Sequence, residues 1–410
     1  MSKTVMMFPG QASQYVGMGK DWFSRYEQVK RRFGEASDIL GMEITKMCFE
    51  GPSNDLTKTE NAQVALVTLS VAMYEVVSKE MGIVPNYLAG HSIGEISALT
   101  ASGVFSFENA IKLARARGEA MAACCSGKDY GMAAVVKMNV DQLEALLLEI
   151  ELDKYSVEIA NYNSPSQTIL SGRLDDLKNI GGVLKLHQAD LVMLNVSGAF
   201  HSKYMAPAKD KLSEVLANLP VKHMEIPVFC GHKGRLYSDN DDLKMELVEQ
   251  LVAPVRWTKV ITELKKLGTD KWFEIGPKQV LKSFVLKTIP NESVFSYDEE
   301  EPQKAEAGRE EVKDLNLVGL CLGAAVSTKN SNWDEEEYKM GVIQPYKEIQ
   351  NLFRKTQEEK RQATEEELGQ CLSLLEKIFK TKGISDGECA VRYRKILKNS
   401  GHEEKFSFYM

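Results

Sequence analysis

Short uninterrupted apolar runs alternate with helix-like periodicity through the first 300 residues. Thr4–Gly10 (TVMMFPG) predicts a buried strand that ends in a turn, and Tyr87–Gly90 (YLAG) predicts another. Ile93–Phe105 follows the second strand as a helix. Strand patterning returns at Ile226–Gly231 (IPVFCG) and Lys271–Gly276 (KWFEIG). Alternation of this kind predicts an α/β fold, a hydrolase-like parallel sheet flanked by helices.

Residues 128–197 carry a different order. Gly131–Met138 is strand-like and Val140–Ile150 has the apolar spacing of a helix. Val157–Gly172 reads as two strands about a turn, Arg173–Leu186 as a second helix and Ala189–Ser197 as a last strand. The order β-α-β-β-α-β is that of a ferredoxin-like module. It predicts a small subdomain at 128–197 inserted in a large one formed by 1–127 and 198–295.

Composition changes abruptly after residue 295. The stretch 296–311 is acidic and poor in apolar residues, which predicts a linker. Residues 312–410 regain helical periodicity and predict a helical C-terminal extension. Thr364 with Glu367 fits a capping box, and Gly383 fits a helix stop.

Charge and cysteine usage narrow the function classes. A net charge of -7 disfavours nucleic-acid binding, which needs a basic face. No apolar run reads as a bilayer span and the N-terminus lacks a signal layout, so a cytoplasmic protein without membrane contact is expected. The seven cysteines have no CxxC pairing, so reduced thiols and no metal are expected, and adjacent Cys124 and Cys125 read as small core residues.

The strongest chemical signal is Gly90-His91-Ser92-Ile93-Gly94, G-x-S-x-G between a predicted strand and helix. Such an elbow exposes a nucleophilic serine, and the helix N-terminus offers N–H groups to a developing oxyanion. A serine at its free pKa needs a base. His91 adjoins Ser92 but points elsewhere on an elbow. His187, His223, His232 and His402 lie in segments without other site-like residues. His201 stands among small residues in Gly198-Ala199-Phe200-His201-Ser202, where the chain can approach a site closely. The residues alone leave it open between structure and catalysis.

Seven ordered blocks then carry a resemblance. They are Phe8-Pro9-Gly10-Gln11-Ala12-Ser13-Gln14, Gly90 to Glu95, Arg115-Ala116-Arg117-Gly118, Asn163-Ser164-Pro165, Gly198 to Ser202, Pro254-Val255-Arg256-Trp257 and Phe273-Glu274-Ile275-Gly276-Pro277. Residues 1 to about 295 resemble the malonyl-CoA:acyl carrier protein transacylases of fatty-acid and polyketide synthesis. The extension, with Asn330-Ser331-Asn332-Trp333 and Gln344-Pro345-Tyr346, resembles more loosely that of free-standing acyltransferases serving modular polyketide synthases.

The resemblance implies a Ser92–His201 dyad, oriented by a backbone carbonyl near Gln250 rather than by an acid. It implies an oxyanion hole from the N–H groups of Gln11 and Ile93. Arg117 would pair with the free malonyl carboxylate through its planar fork. Gln63 and His91 would be further pocket residues, and Phe200 would occupy the space a C2 methyl needs, a difference of ~1–3 kcal/mol. Two positions depart from the family pattern: Ala12 replaces the usual glycine of GQGSQ, and Val64 replaces a proline after Gln63. Glu274 invites a triad, but the family pattern makes its segment a structural turn.

The implied partners are malonyl-CoA and an acyl carrier protein, with a polyketide synthase assembly engaged through the extension. No cofactor is implied, because CoA enters with the substrate. The competing expectations are a hydrolase that strips stalled acyl groups from carrier proteins, a fatty-acid synthesis malonyltransferase and a non-catalytic scaffold.

Overall fold

The computed structural model describes residues 2–409 except 152–153, 197, 299–316, 329, 331, 333, 360, 401 and 403–404. Among the described residues ten strands are formed: β1 Lys3–Phe8, β2 Tyr87–Gly90, β3 Tyr130–Val136, β4 Val157–Ser164, β5 Gln167–Arg173, β6 Asp190–Met193, β7 Val228–Cys230, β8 Arg235–Leu236, β9 Thr269–Glu274 and β10 Ser293–Ser296. They divide into two sheets, ordered β10-β9-β1-β2-β7-β8 and β4-β5-β3-β6.

The first sheet is parallel except for β8, which returns antiparallel to β7. Five successive residues of β1 are buried, as a central parallel strand covered on both faces requires. β1 lies beside β2 with Phe8 opposite Gly90, so the loop after β1 and the elbow after β2 open at the same edge of the sheet. In open α/β sheets that carboxyl edge is where sites form.

The second sheet is antiparallel, with the helices Val140–Glu149 and Leu174–Leu186 supplying the module's two helical elements. Its order is the ferredoxin-like one, as the pattern of residues 128–197 leads one to expect. A bulge in β4 joins this module to the large sheet's surroundings. The Val255 N–H donates to Ala160 O at 2.9 Å, and the Tyr162 N–H donates to Val255 O at 2.9 Å. The Pro254-Val255-Arg256-Trp257 block thereby stitches the two subdomains together.

The helix Thr59–Lys79 is the element that periodicity misses. It is apolar nearly all round, and 83% of its most apolar window is buried inside the protein. By length and composition it is long enough to cross a membrane, contrary to the sequence reading. Its burial makes it the central helix of the large core, packed with Leu66, Val67, Leu69 and Met73 against its neighbours.

Strand β10 and the buried Tyr297 carry the sheet past the expected boundary at 295, and Asp298 accepts from the Lys278 N–H at 2.7 Å. The rest of the acidic stretch lies outside the described residues. The chain divides into compact units at 1–302 and 303–410.

The second unit holds the helices Leu317–Ser327, Gln344–Glu358, Glu365–Thr381 and Asp386–Ser400 around a core of its own. Leu372, Leu375, Phe379 and Leu397 are completely buried in it. The Thr364 hydroxyl accepts from the Glu367 N–H at 3.3 Å, and the Glu367 carboxylate accepts from the Thr364 N–H at 2.8 Å. Gly383, at φ 74°, follows the end of that helix. Of the Asn330–Trp333 block, Ser331 and Trp333 lie outside the described residues.

Candidate active site

The glycines of the elbow are required by close approach. A Cβ on Gly90 would lie 2.1 Å from the Glu95 nitrogen, and one on Gly94 would lie 2.1 Å from the Phe8 carbonyl oxygen. The helix Gly94–Ala101 can therefore start against the ends of β1 and β2 only without those side chains. Ser92 sits between them at φ 53°, a left-handed conformation that costs a non-glycine residue ~1–3 kcal/mol and is held by the packing around it.

Ser92 Oγ lies 2.7 Å from His201 Nε2. His201 comes from the small-residue loop before the helix Ala206–Ala217 and is also left-handed, at φ 56°. Gly198 in that loop faces Cys125 so closely that a Cβ would lie 2.2 Å from its sulfur, so Cys125 acts here as a packing residue. On the far side of the imidazole, Nδ1–H donates to the Gln250 carbonyl oxygen at 2.9 Å. That bond sets the tautomer and leaves the Nε2 lone pair facing the hydroxyl. Burial, and after it the charge of Arg117, push His201 down to about 3. The ring is therefore neutral at ordinary pH.

Arg117, on the helix Phe107–Cys125, is 2% exposed. It donates to Gln63 Oε1 at 2.9 Å, to Gln250 Oε1 at 2.9 Å and to Ser92 Oγ at 3.3 Å. Among the described residues no carboxylate lies within ion-pair distance of it. Burial lowers it to about 10 and Glu95 opposes the shift, so it stays cationic. A buried guanidinium held only by neutral oxygens is costly unless an anion joins it.

Gln11 and Ile93 flank the serine. Ile93 precedes the helix Gly94–Ala101, and Gln11 turns away from the end of β1. Among the described residues, no backbone bond of these turns engages either N–H. Ala12 takes φ 79° beside Gln11, so the extra methyl occupies a conformation that favours glycine. Gln63 is fully buried, and Val64 after it packs into the core while the helix continues.

A cavity of about 760 Å³ opens over Ser92 and His201 between the two subdomains. Phe200, Met121, Met132 and Ile169 give it an apolar wall, and Gln11, His91 and Asn163 add polar atoms. His91 Nε2 lies 2.9 Å from Asn163 Oδ1, and burial lowers its pKa, so it is a neutral lining residue rather than a base. Glu274 is not near the imidazole's free side: its carboxylate accepts the N–H groups of Leu281 and Lys282 at 3.0 and 2.8 Å. It caps the helix Val280–Thr288, and burial raises it to about 7.

Sequence reasoning missed three contributors. The Gln250 side chain is as engaged as its carbonyl, and Glu95 and Tyr237 lie behind it. Glu95 does occur in the elbow block, but a carboxylate in the first turn of a helix reads as a surface partner of the helix dipole. Of the remaining histidines, His232 pairs with Glu246 at 2.9 Å and is within 3.4 Å of the Cys230 sulfur. These three side chains come close enough to resemble a metal site, but Lys233 also binds the Glu246 carboxylate and the imidazole lies between the other two.

The arrangement can form and break an acyl ester: a hydroxyl, a neutral base and the Gln11 backbone line one end of a partly apolar cavity, and a buried cation stands behind the hydroxyl without lining it. Comparison with known proteins agrees. The family model of the acyl transferase domain matches residues 5–322. A malonyl CoA-acyl carrier protein transacylase of Bacillus subtilis (strain 168) is 37% identical over 77% of this chain and 99% of its own length. Another protein of that name, from Bacillus subtilis, is 31% identical over 95% of this chain and 98% of its own length. A solved complex of a type II polyketide synthase acyl-carrier protein with its malonyl-transacylase shares 30% identity and a TM-score of 0.71. That match covers 76% of this chain and 100% of the solved chain.

Proposed function

This chain belongs to the acyl transferase family of malonyl CoA-acyl carrier protein transacylases, and from that premise we propose that Ser92 carries the malonyl group between the two thiols. The observation that carries the reading is the 2.7 Å contact of Ser92 with a neutral His201 beside the buried Arg117.

In the first half-reaction Ser92 Oγ attacks the thioester carbonyl of malonyl-CoA while His201 Nε2 takes the hydroxyl proton. The N–H groups of Gln11 and Ile93 hold the oxyanion, a contribution of about 3 kcal/mol per donor. Collapse breaks the C–S bond, His201 returns the proton to the departing CoA thiolate, and malonyl-Ser92 remains. In the second half the phosphopantetheine thiol of the carrier protein gives its proton to His201 and attacks the ester. The C–O bond to Ser92 breaks and the serine regains its proton. Arg117 holds the distal carboxylate throughout, and Phe200 narrows the space at C2. No acidic third residue is needed because the thioester is already activated.

Intact-protein mass spectrometry after mixing with malonyl-CoA tests this. The chain is expected to gain one malonyl mass and to pass it to an added carrier protein, and Ser92→Ala to gain none. CoA release without loading of the carrier protein would instead favour hydrolysis, which the buried guanidinium does not favour.

The pathway reading is finer. The second unit has its own core, and a relative that matches over 99% of its own length covers only 77% of this chain. We therefore assign it to docking on a polyketide synthase assembly, with the enzyme acting in trans in the cytoplasm, where none of its seven cysteines need pair. Deleting residues 312–410 is expected to leave loading of isolated carrier protein within about twofold and to slow loading of the same carrier within a synthase module about tenfold or more. Equal loss on both acceptors would overturn the docking role.

A further inference from the structure

The polar chain behind Ser92 does not stop at Gln250. The Gln250 amide has a direction: its oxygen accepts from Arg117 Nη2, and its nitrogen donates to Glu95 Oε2 at 2.8 Å and to the Ser92 carbonyl at 3.3 Å. Turned over, the same amide would set an NH2 group against the guanidinium, and two donors would face each other. What decides its direction is the acceptor at its nitrogen end.

That acceptor is a completely buried carboxylate. Glu95 Oε2 also accepts from the Gly231 N–H at 2.9 Å, and Oε1 accepts from the Tyr237 hydroxyl at 2.5 Å. The side chain thus has three donors, two from the β7–β8 hairpin and one from Gln250, 136, 142 and 155 residues away in sequence. No reacting group touches it.

We propose that Glu95, held by Tyr237, is a positioning residue for malonyl selectivity: it fixes the Gln250 amide so that Arg117 is held with its charge beside Ser92. The inference rests on the malonyl-transfer reading of Arg117 and extends it to the residues behind it. Gln250 then serves two separable purposes. Its backbone carbonyl orients His201 and serves acyl transfer from any donor, whereas its side chain serves only donors that carry a carboxylate. Burial raises the Glu95 carboxyl, while Tyr237, Gly231, Gln250 and the charge of Arg117 act to hold it ionised.

Glu95→Gln separates these purposes. One orientation of the new amide opposes two NH2 groups, and the other forces the Tyr237 hydroxyl to stop donating; both remove the negative charge. Because the Arg117–carboxylate contact is present before and during reaction, its loss appears mainly in KM. Loss of one charge-assisted contact predicts a rise of about tenfold in KM for malonyl-CoA with kcat within about threefold. Transfer from acetyl-CoA is expected to stay within about threefold, and Tyr237→Phe to move malonyl KM the same way by a smaller factor.

Steady-state kinetics on the full chain with both donors reads the result. Equal loss for malonyl- and acetyl-CoA, or no change for either, overturns the positioning role. Arg117→Ala in the same series distinguishes the two levels. If that variant keeps its malonyl preference, the underlying reading of Arg117 fails. If it loses the preference while Glu95→Gln keeps it, only the role of Glu95 fails. Should Glu95→Gln not fold, Tyr237→Phe carries the test, since it deletes one hydroxyl and leaves the carboxylate in place.

Discussion

His201→Ala lowers malonyl transfer by about 10²–10⁴-fold, the contribution of a positioned general base, while malonyl-CoA still binds. The loss falls on kcat, since the ring acts in the steps that move a proton. Pre-steady-state measurement of CoA release checks this, and a fall in affinity with an unchanged loading rate would refute it. The pH profile carries more information. Since His201 is held down to about 3, the base is already neutral at pH 5. Acidification from pH 8 to 5 should therefore not slow loading through protonation of this ring. Stability behaves differently. Between about 3 and the ordinary histidine value of 6.5, the unfolded chain binds a proton here that the native one does not. This group's contribution to stability is thus full above pH 6.5 and declines as pH falls toward 3.

A base so weak raises the question of how it takes a proton. Two causes depress it, burial and the neighbouring guanidinium. The second is removed when a malonyl carboxylate neutralises Arg117. On the proposed reading, the donor's own charge would oppose that second cause, while burial, the larger one, remains. A donor without a carboxylate leaves the guanidinium uncompensated and the base depressed.

How much of this could be read from the chain depends on where the cause of each feature lies. β1 and β2 were legible because a strand buried on both faces must be apolar at successive positions. The elbow was legible because Gly90 answers a contact within its own turn, with Glu95, and Gly94 stands at the fixed spacing of the G-x-S-x-G pattern although its contact is with distant Phe8. β8 has two residues and left no pattern, and the helix Thr59–Lys79 hides its period by being apolar on nearly every side. At the site, Ser92, His201 and Arg117 stood in blocks that a family resemblance could carry. Glu95 and Tyr237 act through hydrogen bonds whose partners lie more than 130 residues away, so no spacing along the chain records them. Their burial, the property that gives them weight, is a product of the fold. Ala12 shows the opposite case: the sequence displayed an added methyl, and only the φ of 79° shows that it strains the turn next to Gln11.

Arg117→Ala is expected to reverse the donor preference. Truncating one partner of a desolvated charge pair costs about 2–5 kcal/mol, so kcat/KM for malonyl-CoA should fall by roughly 30-fold to 5 × 10³-fold. Acetyl-CoA loses nothing by the same change, because it has no carboxylate to leave unpaired. It gains space where the guanidinium stood and a base relieved of the nearest positive charge, so acetyl transfer should rise. The pH at which protonation of His201 begins to slow transfer should also move up. With Arg117 gone, the second cause of the depression is removed while burial, the larger one, stays, so His201 moves up only in part from about 3. Acetyl transfer by the variant should then weaken as pH falls through that higher value, whereas the parent enzyme stays level there. Competition between the two donors, followed by carrier-protein mass from pH 5 to 8, measures both effects at once. A variant that loses malonyl and acetyl transfer in equal proportion, with a flat profile, would show that the guanidinium only supports the fold.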